Sequence, residues 1–400
     1  MSEFPENAEP TISQKLAWSL PWLLRYPFWR TTELVRRLSN GIAEPPHLIF
    51  VVANHFEPAW SEQGEALPLE KQLRRVDDWV RMARTIGATV RDHDDTPFRH
   101  TNFYPAEQYH PPLLDKLAEL QSEGLGETEI HLHHGVDKPD TAESLRSMLQ
   151  TFRDVLSVEH KLLSRSRDDA SPKYAFVHGN LALANSAGGR CCGVDSEMQV
   201  LADTGCYADF TLPAAPLQPQ VPKINSIYEC GGDFSQAVPH RTGRDLRVGV
   251  HPKLPVIFTG PLVFNWNRKV RGIPVPRVED GVLAENYALN LDRLRRWATA
   301  SIHVRGRREW VFVKLSCHGF FTRDQNQMIG ESARAFWESV IEFSERTNSF
   351  KVHFASAREA FNMVMAAVDG QTGNPGSYRD YHLQTIMDFA PDVKSKRAIA

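Results

Sequence analysis

Histidine and carboxylate side chains recur where predicted strands end. His55 and Glu57 close the apolar run HLIFVVANHFE, His131 and His133 lie in TEIHLHHG, and His318 follows EWVFVKLSC. Alternate residues of a strand share a face, so His55 points with Glu57, and His131 with His133. Imidazole and carboxylate groups without thiolate suit a catalytic divalent ion such as zinc, with a water completing the shell. The pattern predicts a metal-dependent site.

The order of elements predicts how these residues come together. Apolar, β-branched runs alternate with segments of helical periodicity, which indicates a parallel sheet with crossover helices, either an open doubly wound sheet or a closed barrel. Parallel-sheet enzymes place their chemistry at the carboxyl ends of the strands. A shift of one residue exchanges the two faces of a strand, so the pattern leaves open which of His131, His133 and His134 faces the site. Strands are predicted at 47–56, 128–135, 174–180, 206–212, 309–319 and 351–356, and helices at 69–87, 111–124, 141–164, 195–205, 283–302, 332–348 and 357–368.

Composition and the positions of proline and glycine divide the chain into three parts. We expect an N-terminal helical extension over residues 1–45, an α/β domain over 46–370 and a C-terminal surface tail over 371–400. Residues 213–277 are rich in Pro and Gly and predict an elaborated loop region. Residues 16–38 mix tryptophans with arginines and are too interrupted by charge for the roughly 20-residue span of a bilayer. They predict either a helical hairpin packed on the domain, which we favour, or an amphipathic helix at a membrane surface.

Charge and cysteine content exclude several classes of protein. The 400 residues are 42% hydrophobic and carry a formal net charge of -3, so we expect a globular protein that does not bind nucleic acid. The five cysteines form no CxxC pair, which argues against a disulfide framework. The acidic N-terminus MSEFPENAEP lacks a secretory pattern, so we expect a cytoplasmic protein, with contact at the inner face of a membrane as the alternative.

The strand ends, in this order, resemble those of the polysaccharide deacetylase family (NodB homology) and of the wider glycoside hydrolase/deacetylase barrels, over residues 48–367. VVANHFEP occupies the place of the family's strand with paired aspartates, and EIHLHHGVD that of E-I-x-x-H-[ST]-x-x-H. FVHGN resembles the family's R-P-P-Y motif, and VLADTGCYADF resembles the L-x-x-x-G-Y segment that follows it. The last motif, a strand ending in leucine and histidine, corresponds to the run LSCH that ends at His318.

The resemblance implies a (β/α)7-type barrel and assigns roles. His133 stands at the family's first motif histidine and Asp137 at the second, while His318 stands at the general acid. The aspartate pair, the second histidine and the arginine of the family are replaced, the last by His178. Imidazole and carboxylate can exchange places in a three-ligand catalytic site. We therefore expect a divalent metal, with zinc preferred, bound by ligands from the set His55, His131, His133 and Asp137. Glu57 is expected to act as general base and His318 as general acid, with substrate contacts from His178 and Asn180.

The predicted function is removal of an N-acyl or O-acyl group from a carbohydrate or related molecule by a metal-dependent hydrolase. One alternative is a glycosidase on the same barrel, which needs a second carboxylate beside Glu57, from Asp137 or Asp209. The other is a non-catalytic carbohydrate-binding or scaffold protein that docks through residues 16–38.

Overall fold

The computed structural model describes residues 10–39, 44–267 and 269–388. Its helices are α1 (Ile12–Ser39), α2 (Leu69–Thr89), α3 (Pro111–Ser122), α4 (Ala142–Val158), α5 (Glu197–Thr204), α6 (Leu291–Ala300), α7 (Thr322–Met328), α8 (Glu331–Thr347) and α9 (Ala357–Val368). Its strands are β1 (His47–His55), β2 (His100–Pro105), β3 (Gly126–Leu132), β4 (Ser164–Ser166), β5 (Pro172–His178), β6 (Cys206–Asp209), β7 (Ile227–Cys230), β8 (Gly243–Asp245), β9 (Val256–Phe258), β10 (Val263–Asn265), β11 (Lys269–Val270), β12 (Ile273–Pro274), β13 (Arg277–Glu279), β14 (Trp310–Cys317), β15 (Lys351–Ala355) and β16 (Leu383–Thr385).

The central sheet is mostly parallel, which confirms the predicted α/β class. Strands β14, β1, β2, β3, β5, β6 and β9 pair in this order, and every pairing between them is parallel. β7 and β8 continue the sheet beyond β9 in antiparallel fashion, and β15 pairs with the first half of β1. The carboxyl ends of the parallel strands therefore meet at one edge.

The apolar runs form strands that are buried on both faces. On one face of β1, Phe50 packs against Trp337 of α8 with ring centroids 4.8 Å apart. On the other face, Ile49 and Val51 join a second apolar cluster that includes Phe103 of β2. Burial on both faces explains why β1 is continuously apolar rather than alternating.

Between Ile12 and Ser39 the N-terminal extension is one continuous helix, so the hairpin form of the packing prediction is wrong for this segment. Pro21 and Pro27 lie inside α1 without ending it. One side of α1 packs on the domain, because the buried Trp22 contacts Ile224 and Leu262. Among the described residues, no helix is long and apolar enough to cross a membrane. Residues 1–9 and 40–43 of the predicted extension lie outside the described part.

Two other boundaries differ from the sequence prediction. Residues 213–277 contain β9, a member of the parallel row, so they are not loop throughout. The sixth helix begins at Leu291 rather than near 283, because the Asn290 side chain caps it by accepting the N–H of Arg293. The tail returns to the domain through β16, which pairs with β4. Residues 389–400 lie outside the described part.

Candidate metal centre

Five side chains meet at the carboxyl edge of the sheet. His55 is the last residue of β1 and Glu57 follows it, His131 lies in β3 with His133 just beyond, and His318 follows β14. The ring centroids of His55 lie 4.7 Å from His131 and 4.4 Å from His318, and those of His131 and His133 are 4.5 Å apart. We call these five residues cluster one. Parallel pairing of their strands brings them together across the sequence.

In His131 and His133, one ring nitrogen makes a hydrogen bond that fixes the ring, and the other ring nitrogen faces the carboxylate of Glu57. Nδ1 of His131 lies 2.8 Å from the carbonyl oxygen of Val177, and Nδ1 of His133 lies 2.6 Å from Oε1 of Glu107. Carbonyl and carboxylate oxygens only accept, so both Nδ1 atoms carry the proton and donate. The two Nε2 atoms point the other way and lie 3.0 Å (His131) and 3.5 Å (His133) from Oε1 of Glu57.

An imidazole nitrogen this close to a carboxylate oxygen needs either a proton or a cation between the two atoms. Metal-ligating histidines nearly always donate their second N–H to a carboxylate or carbonyl, as these two do. The ligand atoms of Glu57, His131 and His133 lie within 4.8 Å of one another, as do those of His55, Glu57 and His318. Cluster one therefore has the donor types, spacing and orientation that a divalent cation requires.

The charges within cluster one favour ionised Glu57 and neutral His55. Burial acts to raise the pKa of Glu57, but the hydrogen bond and charge of His131, with His318 and His133, lower it overall to about 2. Burial lowers the pKa of His55 well below its ordinary value, and the neighbouring His318 and His131 lower it further. A neutral imidazole keeps the lone pair that a metal ligand needs.

Glycines allow close packing around the cluster. A Cβ at Gly179 would lie 2.4 Å from Cδ2 of His133, so only glycine leaves room for that ring. A Cβ at Gly319 would lie 2.4 Å from Cη2 of Trp79. The N–H of Gly319 donates to Oδ1 of Asn54 at 2.9 Å, which ties the turn that carries His318 to β1.

A second group of potential ligands lies beside the first and is completely enclosed. We call His134, His178, Cys192 and Glu197 cluster two; all four are buried, and their ligand atoms lie within 4.8 Å of one another. His133 and His134 are consecutive and point to opposite sides, one into each cluster. His131 and His133 thus face cluster one, and His134 does not.

The remaining predicted site residues lie elsewhere. Asp137 is exposed in the loop after β3, and α4 begins only at Ala142, so Asp137 is not one helical turn from His133. The structure does not bring Asp137 into either cluster; instead Asp140 contacts His134. The predicted substrate contact His178 is enclosed in cluster two, and Asn180 is exposed, with a left-handed φ of 55°.

Sequence analysis missed three residues of this region. Glu107, which holds His133, belongs to the short 3-10 helix Ala106–Gln108 that follows β2. Glu197 opens α5 and Cys192 lies in the preceding loop. An acidic residue in a first helical turn is common for electrostatic reasons alone, so its type carried no signal. The one available signal for Glu107 was its position just after Pro105, where β2 ends, because the carboxyl end of β2 lies at the same edge of the sheet as those of β1 and β3.

Neither carboxylate named for the glycosidase alternative, Asp137 or Asp209, belongs to cluster one. Asp209 is completely buried and accepts hydrogen bonds from Thr211 at 2.7 and 3.1 Å, while Asp137 is exposed. Burial raises the pKa of Asp209 to about 7. A cavity of about 1330 Å³ lies at the opposite end of the sheet, where His47 begins β1, and no member of either cluster lines it. Donor geometry, rather than cavity size, therefore locates the candidate site.

Comparison with known proteins places no family name on these residues. No protein-family model matches the chain, and no curated protein matches its sequence. The functional argument rests on the geometry of the two clusters.

Proposed function

We propose that this protein is a metal-dependent hydrolase of the deacetylase type, which removes an acyl group from a carbohydrate or related molecule at cluster one. The observation that carries the proposal is the paired orientation of His131 and His133. Each donates through Nδ1 to a fixed oxygen and directs Nε2 toward Oε1 of Glu57. Neither hydrophobic packing nor a simple ion pair requires two imidazoles to be held in this way.

The residues of cluster one divide into ligands and proton-transfer groups. His131 and His133 would hold a divalent ion beside Glu57. His55, whose ring lies 4.7 Å from that of His131, would be the third imidazole ligand, and zinc is the best fit to imidazole donors. Such an ion supplies a Lewis acid for the acyl carbonyl and lowers the pKa of a water toward about 7. Glu57 is ionised at neutral pH and accepts the proton of the attacking water.

His318 completes the proposed reaction. It is exposed at the mouth of the cluster, with its ring 4.4 Å from that of His55, where a leaving group can reach it. As the water oxygen bonds to the acyl carbon, the C–N or C–O bond breaks. The proton that Glu57 took from the water passes to His318, which gives it to the departing amine or alcohol. Loss of the acyl group as a carboxylic acid balances the reaction.

A (β/α)7-type barrel is the proposed form of the parallel sheet. Seven strands pair in parallel, and the two ends of this row approach each other: Phe258 of β9 lies 6.3 Å from Phe312 of β14, centroid to centroid. A Cβ built on Gly260 would lie 2.9 Å from the carbonyl oxygen of Lys314. Side chains of β1, β2, β5, β6, β9 and β14 share one apolar cluster, as the inside of a barrel requires.

The test measures acyl release by zinc-loaded protein and by variants of the two proton-transfer residues. Acetate release from N-acetylglucosamine oligomers and from O-acetylated sugars is followed for the native chain, Glu57→Gln and His318→Ala. The matched control is Glu65→Gln, an exposed carboxylate on the loop after β1. With each protein brought to the same zinc content before the assay, we expect each proton-transfer variant to lose about 10²- to 10⁴-fold in kcat and the control to be unchanged.

Two results would count against the proposal. Release of acetate at the native rate by Glu57→Gln would remove the general base from the mechanism. Absence of acyl release from every acetylated sugar by protein shown to carry metal at cluster one would leave a binding protein on the same fold.

A further inference from the structure

Cluster two has the composition of a closed metal site. It contains two imidazoles, one thiol and one carboxylate, from His134 beyond β3, His178 at the end of β5, Cys192 in the following loop and Glu197 at the start of α5. At most 4% of the surface of any of them is exposed. Four protein ligands without an open position are typical of structural zinc sites, and a thiolate among them favours zinc over magnesium or calcium.

The two imidazoles repeat the orientation seen in cluster one. Nδ1 of His178 donates to the carbonyl oxygen of Gly179, and Nδ1 of His134 contacts Oδ2 of Asp140 at 3.1 Å. Both Nε2 atoms face Oε1 of Glu197, at 3.1 Å from His134 and 3.6 Å from His178. Both Nε2 atoms are thus turned toward the same carboxylate oxygen, as the ligand atoms of one shared ion would be.

One nitrogen of cluster two is buried without a hydrogen bond. Nε2 of His178 is completely buried and has no hydrogen-bond partner among the described residues. Burial of an unpaired polar atom is costly, and native structures rarely tolerate it without an ion or water. A cation bound between His178 and Glu197 satisfies this nitrogen and the carboxylate together.

Cys192 lies in direct contact with Glu197, another member of cluster two. Sγ of Cys192 lies 3.5 Å from Oε2 of Glu197 and accepts the N–H of Val194 at 3.4 Å. The N–H of Ala184 also donates to Oε2 of Glu197, at 2.5 Å, which fixes the carboxylate. By contrast, Asp92 and Asp94, which form another group of possible ligands with His353, already have a protein cation, because Arg379 lies 3.1 Å from Asp92 and 3.7 Å from Asp94.

We propose that His134, His178, Cys192 and Glu197 bind a structural zinc ion, separate from the metal at cluster one. The ion would join the loop after β3 to α5. These segments already pack closely: the N–H of Asp140 donates to the carbonyl oxygen of Cys192 at 2.9 Å. His133 precedes His134, so the second ion would also hold in place the backbone that carries a ligand of cluster one.

Cobalt substitution tests this site directly, because Cys192 provides the only thiol in either cluster. The full chain is produced with cobalt in place of zinc, and its absorption and metal content are recorded for the native protein, Cys192→Ser and Cys191→Ser. We expect a thiolate-to-cobalt charge-transfer band in the native protein and in Cys191→Ser, the neighbouring thiol outside the cluster. Cys192→Ser should lose the band and one equivalent of metal.

The outcomes separate this inference from the proposed function. Metal-loaded native protein without a thiolate band would overturn the inference, and this result needs no variant to fold. Equal metal content in Cys192→Ser and the native chain would overturn it too. A His55→Ala/His133→Ala variant should keep the band, so failure at cluster one leaves the conclusion on cluster two unaffected.

A different observation, the outer face of α1, carries a second inference independently. Large apolar side chains project to solvent at intervals of four residues, which places them along one side of the helix away from Trp22. Leu24 and Phe28 are 72% and 78% exposed. The stripe consists of Ile12, Leu16, Leu20, Leu24 and Phe28.

Charge complementarity identifies the occupant of this face. The sequence of α1 holds five basic residues and one acidic residue, and the acidic one, Glu33, is paired internally with Arg305 at 2.8 Å. Arg25 and Arg30 are exposed beside the stripe. Apolar side chains flanked by arginines suit an anionic membrane surface. We infer that α1 lies in the interface of an anionic bilayer, with the opposite side of the helix packed on the domain.

Vesicle co-sedimentation tests this second inference. The full chain is mixed with vesicles of phosphatidylcholine alone or with added phosphatidylglycerol, as native protein, Leu24→Glu/Phe28→Glu and the control Val158→Glu, whose site on α4 is 61% exposed. We expect binding to anionic vesicles that falls at least tenfold in the double variant and is unchanged in the control. Equal binding by all three proteins would overturn the inference, as would a stable dimer of the native chain that the double variant abolishes.

Discussion

Replacement of Glu107 by glutamine tests whether the orientation of His133 matters for metal binding. Oε1 of Glu107 accepts the Nδ1 proton of His133 at 2.6 Å, and Oε2 accepts its backbone N–H at 3.3 Å. Glutamine keeps the shape but removes the charge. Loss of such an outer partner typically costs 10- to 100-fold in metal affinity, or about 1.4 to 2.7 kcal/mol.

The assay is a zinc titration of chelator-treated protein in competition with a chromogenic chelator. Glu107→Gln should weaken the binding step that belongs to cluster one by this factor and leave any step at cluster two unchanged, which makes the latter an internal reference. The matched control is Glu123→Gln, because that carboxylate is 33% exposed, close to the 34% of Glu107, and pairs with Arg84 far from the ligands. Identical zinc affinities in Glu107→Gln and the native chain would refute the argument that an anchored His133 is a ligand.

Three further predictions concern stability. The buried guanidinium of Arg293 donates to the two carboxylate oxygens of Glu279 at 2.8 and 2.9 Å. Glu279→Gln removes this counter-charge and should lower the free energy of unfolding, measured in urea, by about 3 to 5 kcal/mol. A loss under about 1 kcal/mol would contradict this reasoning. Burial acts to raise the pKa of Glu359, but the charges of Arg99 and Arg379 lower it overall to about 2. The ionised Glu359 therefore stabilises the fold above its ordinary pKa of 4.5, and this stabilisation is lost as the pH falls toward 2. The difference in unfolding free energy between the native chain and Glu359→Gln should therefore shrink from about pH 5 downward, and a constant difference would exclude this origin. Trp22→Ala should remove about 3 kcal/mol of packing energy between α1 and the domain, and limited proteolysis of that helix should become roughly 100-fold faster. An unchanged cleavage rate would show that the packed side of α1 contributes little to holding the helix on the domain.

The strand ends could be predicted because a local pattern fixes them. A continuous apolar run such as that of β1 indicates a strand buried on both faces, and parallel order brings His55, His131 and His318 to one edge. The alternation of strand and helix sufficed for the α/β class. The register of the β3 end was not predictable, since a one-residue shift exchanges His133 with His134.

The residues that complete the clusters depend on tertiary contacts that leave no local signal. Glu107 and Glu197 look like ordinary acidic residues at the start of short helices, and their partners are 26 and 63 residues away in the chain. Asp137 was expected from motif spacing alone, which fails here because the chain after β3 forms a loop rather than a helical turn. The continuity of α1 through Pro21 and Pro27 was equally hidden, since proline usually ends or kinks a helix.

The central claim is that cluster one binds a divalent metal. It is tested most directly by metal analysis, using inductively coupled plasma mass spectrometry, of the untagged full chain beside a His55→Ala/His133→Ala variant with matched circular dichroism. The account predicts that the variant holds one equivalent of metal less than the native protein. Equal metal content in the two proteins, including none in either after incubation with zinc, would contradict it.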